Sequence, residues 1–175
     1  DSRNRPVLSH GRYTYVRCLG CGLIFVHPFP EPADLLACYD DGDHSPVPPA
    51  DDPSREAAVH RVRFGEELDR IEAFAPRGRI LDIGCAWGFF LDRCKQRGWD
   101  VQGVELSRVE ARYARQRFGI EVFAGSLADA RFPDRHFDVV TLWHVFEHIH
   151  DPLATLVEIR RILKPGGVAV LAVPT

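Results

Sequence analysis

Residues 79–90 read Arg-Ile-Leu-Asp-Ile-Gly-Cys-Ala-Trp-Gly-Phe-Phe, and this stretch decides the fold. Ile80, Leu81 and Ile83 form a short apolar run, the pattern of a strand buried on both faces. Small residues then fall at Gly84, Ala86 and Gly88. They let the backbone turn sharply and let a ligand approach it closely. A helical pattern follows over 88–97 and is closed by Gly98. Its N-terminus directs unpaired N–H groups at whatever occupies the loop.

Working outward, strand and helix patterns alternate. Strands are expected at 79–83, 100–105, 120–123, 137–143 and 168–173. Helices are expected at 88–97, 107–118 and 152–163, with Gly119 closing the second and Gly166-Gly167 a turn before the last strand. Strands alternating with helices imply parallel pairing, crossover helices and a sheet covered on both faces. The class is therefore α/β with five parallel strands, and no internal repeat is visible. Upstream, Phe64, Leu68, Ile71 and Ala75 make one apolar helical stripe that Pro76 and Gly78 end, with Ser54 as its N-cap.

Residues 1–30 read as a separate β-hairpin, with strands at 13–17 and 23–26 and the knuckle Cys18-Leu-Gly-Cys21-Gly22 at its tip. A short helix is expected at 32–39, then a linker at 40–53 rich in Asp and Pro. The expected organisation is a hairpin unit at 1–30, helix and linker at 31–53, and a ligand-binding domain at 54–175.

The 175 residues carry 22 Lys+Arg against 25 Asp+Glu, a net charge of −3, with 45% hydrophobic residues. That composition suits a folded chain and gives no electrostatic footprint for nucleic acid. The longest apolar run, 168–173, is too short for a bilayer, so no membrane partner is expected. Five scattered cysteines argue against a disulfide framework and for a reducing, cytoplasmic setting. The chain holds no Met and starts with Asp, the expectation for a trimmed or processed piece.

The ligand follows from the acids. Glu105 ends the second expected strand, 23 residues after Asp82, where an acid grips ribose hydroxyls. A dinucleotide fingerprint counted from Gly84 needs small residues at 86 and 89, and position 89 is Phe. Asp82 also sits badly beside a pyrophosphate and well beside a cation. S-adenosylmethionine carries an ammonium and a sulfonium and no phosphate, which matches that pair of acids.

Four motifs then fall in order: Asp-Ile-Gly-Cys-Ala-Trp-Gly at 82–88, Gly-Val-Glu-Leu-Ser at 103–107, Phe-Asp-Val-Val-Thr-Leu-Trp-His-Val-Phe-Glu-His at 137–148, and Leu-Lys-Pro-Gly-Gly at 163–167. Together they resemble the class I S-adenosylmethionine-dependent methyltransferases, with their Rossmann-like sheet, over roughly residues 55–175. Glu147-His148 followed by Asp151-Pro152 looks like the branch acting on small metabolites, sugars and quinone precursors. The segment around Cys18 and Cys21 looks like the second knuckle of an N-terminal zinc ribbon, whose first thiol pair this chain lacks.

The resemblance implies roles. Gly84, Cys85, Ala86, Gly88 and Phe89 line the methionine moiety, and Asp82 addresses its amino end. Glu105 holds the ribose, Leu106 covers the adenine, and Ser126 and Leu127 edge the ring. Trp143 and His144 face the methyl group and the acceptor. His144 is the preferred general base, with His148 and Glu147 as further catalytic candidates. Glu147 and His148 read either as metal ligands with His144 or, preferably, as braces on the following helix N-terminus. Cys18 and Cys21 read as half a zinc site, completed by His10, His27 or Cys38, or as a remnant of one. Cys85 and Cys94 read as packing residues, with Cys85 feeling the helix N-terminus.

The expected function is methyl transfer from S-adenosylmethionine to oxygen or carbon of a small acceptor such as a sugar or quinone precursor. The alternatives are a non-catalytic module binding the same cofactor and a dinucleotide-dependent oxidoreductase. The family's sheet has seven strands, so an edge left at 168–173 is expected to pair with further chain or a second copy in a homodimer.

Overall fold

The computed structural model describes residues 3–30 and 55–174. The expected helix at 32–39, the linker at 40–53, the Ser54 cap and Cys38 lie outside the described residues. The chain divides into two compact units, Asp1–Cys38 and Tyr39–Thr175.

The first unit is a three-stranded antiparallel sheet, not a two-stranded hairpin. Its strands are β1 (Asn4–His10), β2 (Tyr13–Cys18) and β3 (Ile24–His27), in the order β1-β2-β3. Strand β1 carries no apolar alternation, and Pro6 interrupts it. Proline has no N–H to give the ladder, and the β1–β2 register shifts between Pro6 and Leu8.

The second unit holds α1 (Arg55–Phe74), β4 (Arg79–Ile83), α2 (Phe89–Gln96), β5 (Asp100–Glu105), α3 (Arg108–Phe118), β6 (Glu121–Ala124), α4 (Leu127–Ala130), β7 (Phe137–Trp143), a 3-10 turn (Phe146–His148), α5 (Pro152–Ile162) and β8 (Leu163–Ala172). The strands form one parallel sheet in the order β6-β5-β4-β7-β8. The expected five-stranded α/β sheet is thus present. Strand β8 starts earlier than expected, because Leu163 already pairs with Phe137 before the register shifts to Val139–Val168.

Alternation along the strands sends side chains to two cores. Ile80, Val101 and Val139 meet Leu68 and Ile71 of α1, Phe90, Leu91 and Cys94 of α2, and Ala111 and Ala114 of α3. Leu81, Ile83, Val140 and Leu142 meet Leu127 of α4 and Ile159 and Ile162 of α5 on the other face. At the starting end of the sheet, Asp138 accepts from Arg79 N–H and from Lys164 Nζ, both at 2.7 Å, and so ties three strands together.

Gly103 is where the sheet and the loop meet. It pairs with Asp82 in the β4–β5 register. A Cβ there would lie 2.6 Å from Cys85 Sγ and 3.0 Å from Leu91 Cδ1. Gly103→Ala is therefore expected to destabilise the chain by about 1–3 kcal/mol through overpacking. Urea unfolding of the full chain measures this, and an unchanged midpoint would show that the loop yields freely.

Candidate active site

The candidate site is built at the carboxyl ends of β4, β5 and β7. Asp82, Glu105 and Thr141 fall on the face of the sheet that α1, α2 and α3 cover. Asp82 is 2% exposed and Glu105 6% exposed. Asp82 pairs with Thr141 across β4 and β7, and Thr141 Oγ1 lies 2.6 Å from Asp82 Oδ1. Burial pushes the Asp82 carboxyl up to about 8, opposed by the Thr141 hydroxyl and reinforced by the charge of Glu105.

Glu105 is held by backbone. Its Oε2 accepts from Ala86 N–H and its Oε1 from Ser107 N–H, both at 2.8 Å. Burial raises its pKa, and the N–H groups of Ser107, Ala86 and Leu106 pull the other way. One carboxylate thus fixes both the loop after β4 and the turn after β5. Each oxygen keeps a further lone pair for a ligand hydroxyl.

The loop is shaped by positive φ. Gly84 (φ 71), Ala86 (φ 46) and Gly88 (φ 82) all lie in the left-handed region. A side chain on Gly84 would strike Val145, and one on Gly88 would come 2.7 Å from Ala114 Cβ. Ala86 accepts the strain a glycine would avoid, and its N–H is the one bonded to Glu105. The first turn of α2 has no side-chain cap. Phe89 is 36% exposed and its ring stands against Phe118, while Trp87 stands edge-on to Tyr113.

Cys85 is a packing residue, and the helix N-terminus does not dominate its surroundings. The thiol is buried, and that burial, together with Asp82 and Glu105, pushes its pKa up rather than down. Burial raises Cys94 as well, so both are neutral packing groups.

Beyond β5 and β6 the picture is mixed. Leu106 is half-buried. Ser126 caps α4 by accepting from Asp129 N–H, and Leu127 belongs to the core at 8% exposure. At the end of β7, Trp143 stacks edge-on against Phe90, and its buried Nε1 has no hydrogen-bond partner. His144 adopts φ 56 and its N–H donates to Ala172 O. Its Nδ1 lies 3.9 Å from Glu147 Oε1.

The bracing role expected of Glu147 and His148 belongs to Asp151, which caps α5 by accepting from Ala154 N–H at 2.9 Å. Among the described residues no three of His, Cys, Asp and Glu gather closely enough to hold a metal, so His144, Glu147 and His148 do not form a ligand set here. The same holds for Cys18 and Cys21 with His10 and His27. The pair is nonetheless drawn together: N–H groups of Cys21 and Gly20 and the Cys21 thiol bond Cys18 Sγ and lower its pKa. Gly22 N–H closes the knuckle onto Cys18 O.

A separate cavity of about 350 Å³ opens along β5 and β6, lined by Gln102, Arg115, Glu121, Phe123, Arg131 and His136 among others. It shares no residue with the strand-end site.

Thr141 and the capping role of Asp151 escaped the sequence reading. A threonine inside an apolar strand reads as a β-branched filler, and only the pairing register shows that it faces Asp82. Asp151 directly precedes a proline that opens a helix, which is a cap signature in its own right.

The site's chemistry fits S-adenosylmethionine. Two buried acids suit a cation and a diol, the loop backbone at Gly84 and Gly88 packs against Val145 and Ala114 with no room for a Cβ, and the buried Trp143 indole N–H has no partner among the described residues. The comparisons agree. A family described as a methyltransferase domain matches residues 56–175. A ubiquinone biosynthesis O-methyltransferase of Ralstonia nicotianae is 36% identical over 110 residues, covering 57% of this chain and 45% of that protein. A solved S-adenosylmethionine-dependent methyltransferase of Thermotoga maritima superposes with a TM-score of 0.55 at 32% identity, covering 67% of this chain and 54% of its own. Another from Archaeoglobus fulgidus gives 0.56 at 26% identity, covering 66% and 53%. The chain spans less than half the length of the curated relatives it matches. With its fold, its strand-end acids and this match in agreement, the chain belongs to the methyltransferase-domain family of class I S-adenosylmethionine-dependent enzymes.

Proposed function

We propose that this domain methylates a hydroxyl oxygen, or a carbon, of a small acceptor such as a quinone precursor or sugar. The buried acid pair beside the Gly84–Gly88 cradle carries the reading, and the relatives' names favour oxygen. S-adenosylmethionine supplies an activated methyl group on a positively charged sulfur. The protein's part is to bind, orient and exclude water.

In this reading Asp82 compensates the ammonium end of the cofactor and Glu105 bonds its ribose. Gly84, Cys85, Ala86, Gly88 and Phe89 line the methionine portion. Leu106, Ser126 and Leu127 border the adenine. Trp143 and His144 bound the methyl-transfer space. His144 takes the acceptor proton at an imidazole nitrogen, and Glu147 orients the ring and stabilises its protonated form. His148 stands one residue further along the same turn.

The finer partners belong to the same reading. Net charge −3 and the strand-end acids favour a small molecule over nucleic acid. No helix among the described residues is long and apolar enough to cross a membrane. The described cysteines are free thiols, which suits the cytoplasm. Among the described residues β8 pairs only with β7, and Leu171 and, just past the strand, Val173 are exposed, which suits pairing with a second copy. Cys18 and Cys21 supply at most two of the four ligands of a structural zinc.

Two substitutions test this. Glu105→Gln is expected to weaken S-adenosylhomocysteine binding about 10-fold or more, the scale of a hydrogen bond to a charged group. Calorimetric titration measures this, alongside a thermal melt to confirm folding. Affinity equal to wild type would remove Glu105 from the site. His144→Asn keeps a residue that tolerates positive φ. It is expected to cut kcat for a phenolic acceptor by about 10²–10⁴ with little change in cofactor affinity. A near-normal kcat would assign the base elsewhere.

A further inference from the structure

Thr141 is fully buried and faces Asp82 in the β4–β7 register. Its hydroxyl oxygen lies 2.6 Å from Asp82 Oδ1 and 3.3 Å from the Leu81 carbonyl oxygen. A threonine hydroxyl has one proton and two lone pairs. If Asp82 is ionised, that proton goes to the carboxylate and the Leu81 contact is idle. If Asp82 is protonated, the acid donates to Thr141 and Thr141 donates to Leu81, so every group is used. The pair therefore has two hydrogen-bonded arrangements that differ by one proton and a hydroxyl rotation.

The surroundings decide which arrangement the ligand-free site adopts. From β5, Glu105 presents a second acid. From the loop and from α2, Cys85 and Cys94 present thiols kept neutral by burial. From β7 comes only the Thr141 hydroxyl. Among the described residues no cation acts on Asp82. An ionised carboxylate enclosed in this way, with another acid nearby, lacks compensation.

We propose that enclosure holds Asp82 as a neutral acid in the ligand-free site, that a ligand ammonium group takes the place of its proton, and that Thr141 is the positioning residue whose hydroxyl turns to support the carboxylate so formed. The Asp82 O–H bond breaks, the proton leaves to buffer, and the Thr141 hydroxyl turns from Leu81 to donate to the new carboxylate. The ligand's positive charge replaces the proton's. The identity of the ligand rests on the methyltransferase reading above; the neutral acid does not.

Two consequences follow. Binding at neutral pH releases about one proton from the protein. Asp82 also contributes stability to the ligand-free chain that is lost as pH rises, read as the difference from Asp82→Asn. The raised acid, about 8 against an ordinary 3.8, leaves the folded state holding more protons than the unfolded state between those values, so the slope is negative there.

The test is infrared difference spectroscopy on the full chain at neutral pH, with S-adenosylhomocysteine as the probe. Wild type should lose a protonated-carboxyl band on binding, and Asp82→Asn should lack that band, which separates Asp82 from Glu105. Calorimetry in buffers of different ionisation enthalpy should count the same proton. Thr141→Ser should preserve both signals. Thr141→Val, which keeps shape and removes the hydroxyl, should bind at least 10-fold more weakly at neutral pH and recover as pH rises.

Intact binding with no band lost, or Thr141→Val matching wild type in affinity and proton count, would overturn the proposal and leave the cofactor site standing. Absence of binding at every pH would overturn the cofactor reading. In that case the ligand-free band and the stability slope, each compared with Asp82→Asn, still judge the neutral acid, and a flat slope without the band would overturn it.

Discussion

Two carboxyl groups buried on adjacent strands are the constraint around which the second unit is arranged. Removing a carboxylate from water is costly unless hydrogen bonds or counter-charge offset it. Glu105 is offset by backbone: it accepts the N–H groups of Ala86 and Ser107, so its charge also sets the loop after β4 and the turn into α3. Asp82 has only the Thr141 hydroxyl. The unequal support given to the two acids leaves one satisfied by the fold and the other short of a cation.

The parallel sheet makes such a site possible. Both faces are covered by helices, so the interior positions of β4, β5 and β7 are dry, and polar chemistry is confined to their carboxyl ends. There the loop turns through three left-handed residues and delivers the uncapped start of α2. Gly103 gives up its side chain so that Cys85 can pack against β5. At the far end, Asp138 pins Arg79 and Lys164 and serves the sheet alone. The end of β7 carries His144 at positive φ, 3.9 Å from Glu147.

Much of this was legible in the residues, for identifiable reasons. The β4–loop–α2 segment announces itself because an apolar run, alternating small residues and a helical stripe follow one another within a dozen positions. Asp82 and Glu105 stand out as acids at the ends of apolar strands. Strand β1 was not legible, since Pro6 and its polar neighbours erase the alternation that marks a strand. The short α4 and the 146–148 turn are below the length at which a period can be counted. Thr141 was hidden because its role depends on register, which no single segment encodes. The expected bracing of the α5 N-terminus by Glu147 and His148 falls to Asp151, the residue next to Pro152, because a side chain at the N-cap reaches the free N–H groups directly. Cys85, read as a packing residue beside a helix N-terminus, is one: burial beside two acids keeps its thiol neutral.

The most direct test of the central claim is a crystal structure of the chain with S-adenosylhomocysteine. The account predicts the ligand at the strand ends, its ribose hydroxyls bonded to Glu105, its ammonium beside Asp82 and its thioether facing Trp143 and His144. A ligand seated instead in the cavity along β5 and β6, or with its ribose away from Glu105, would contradict it.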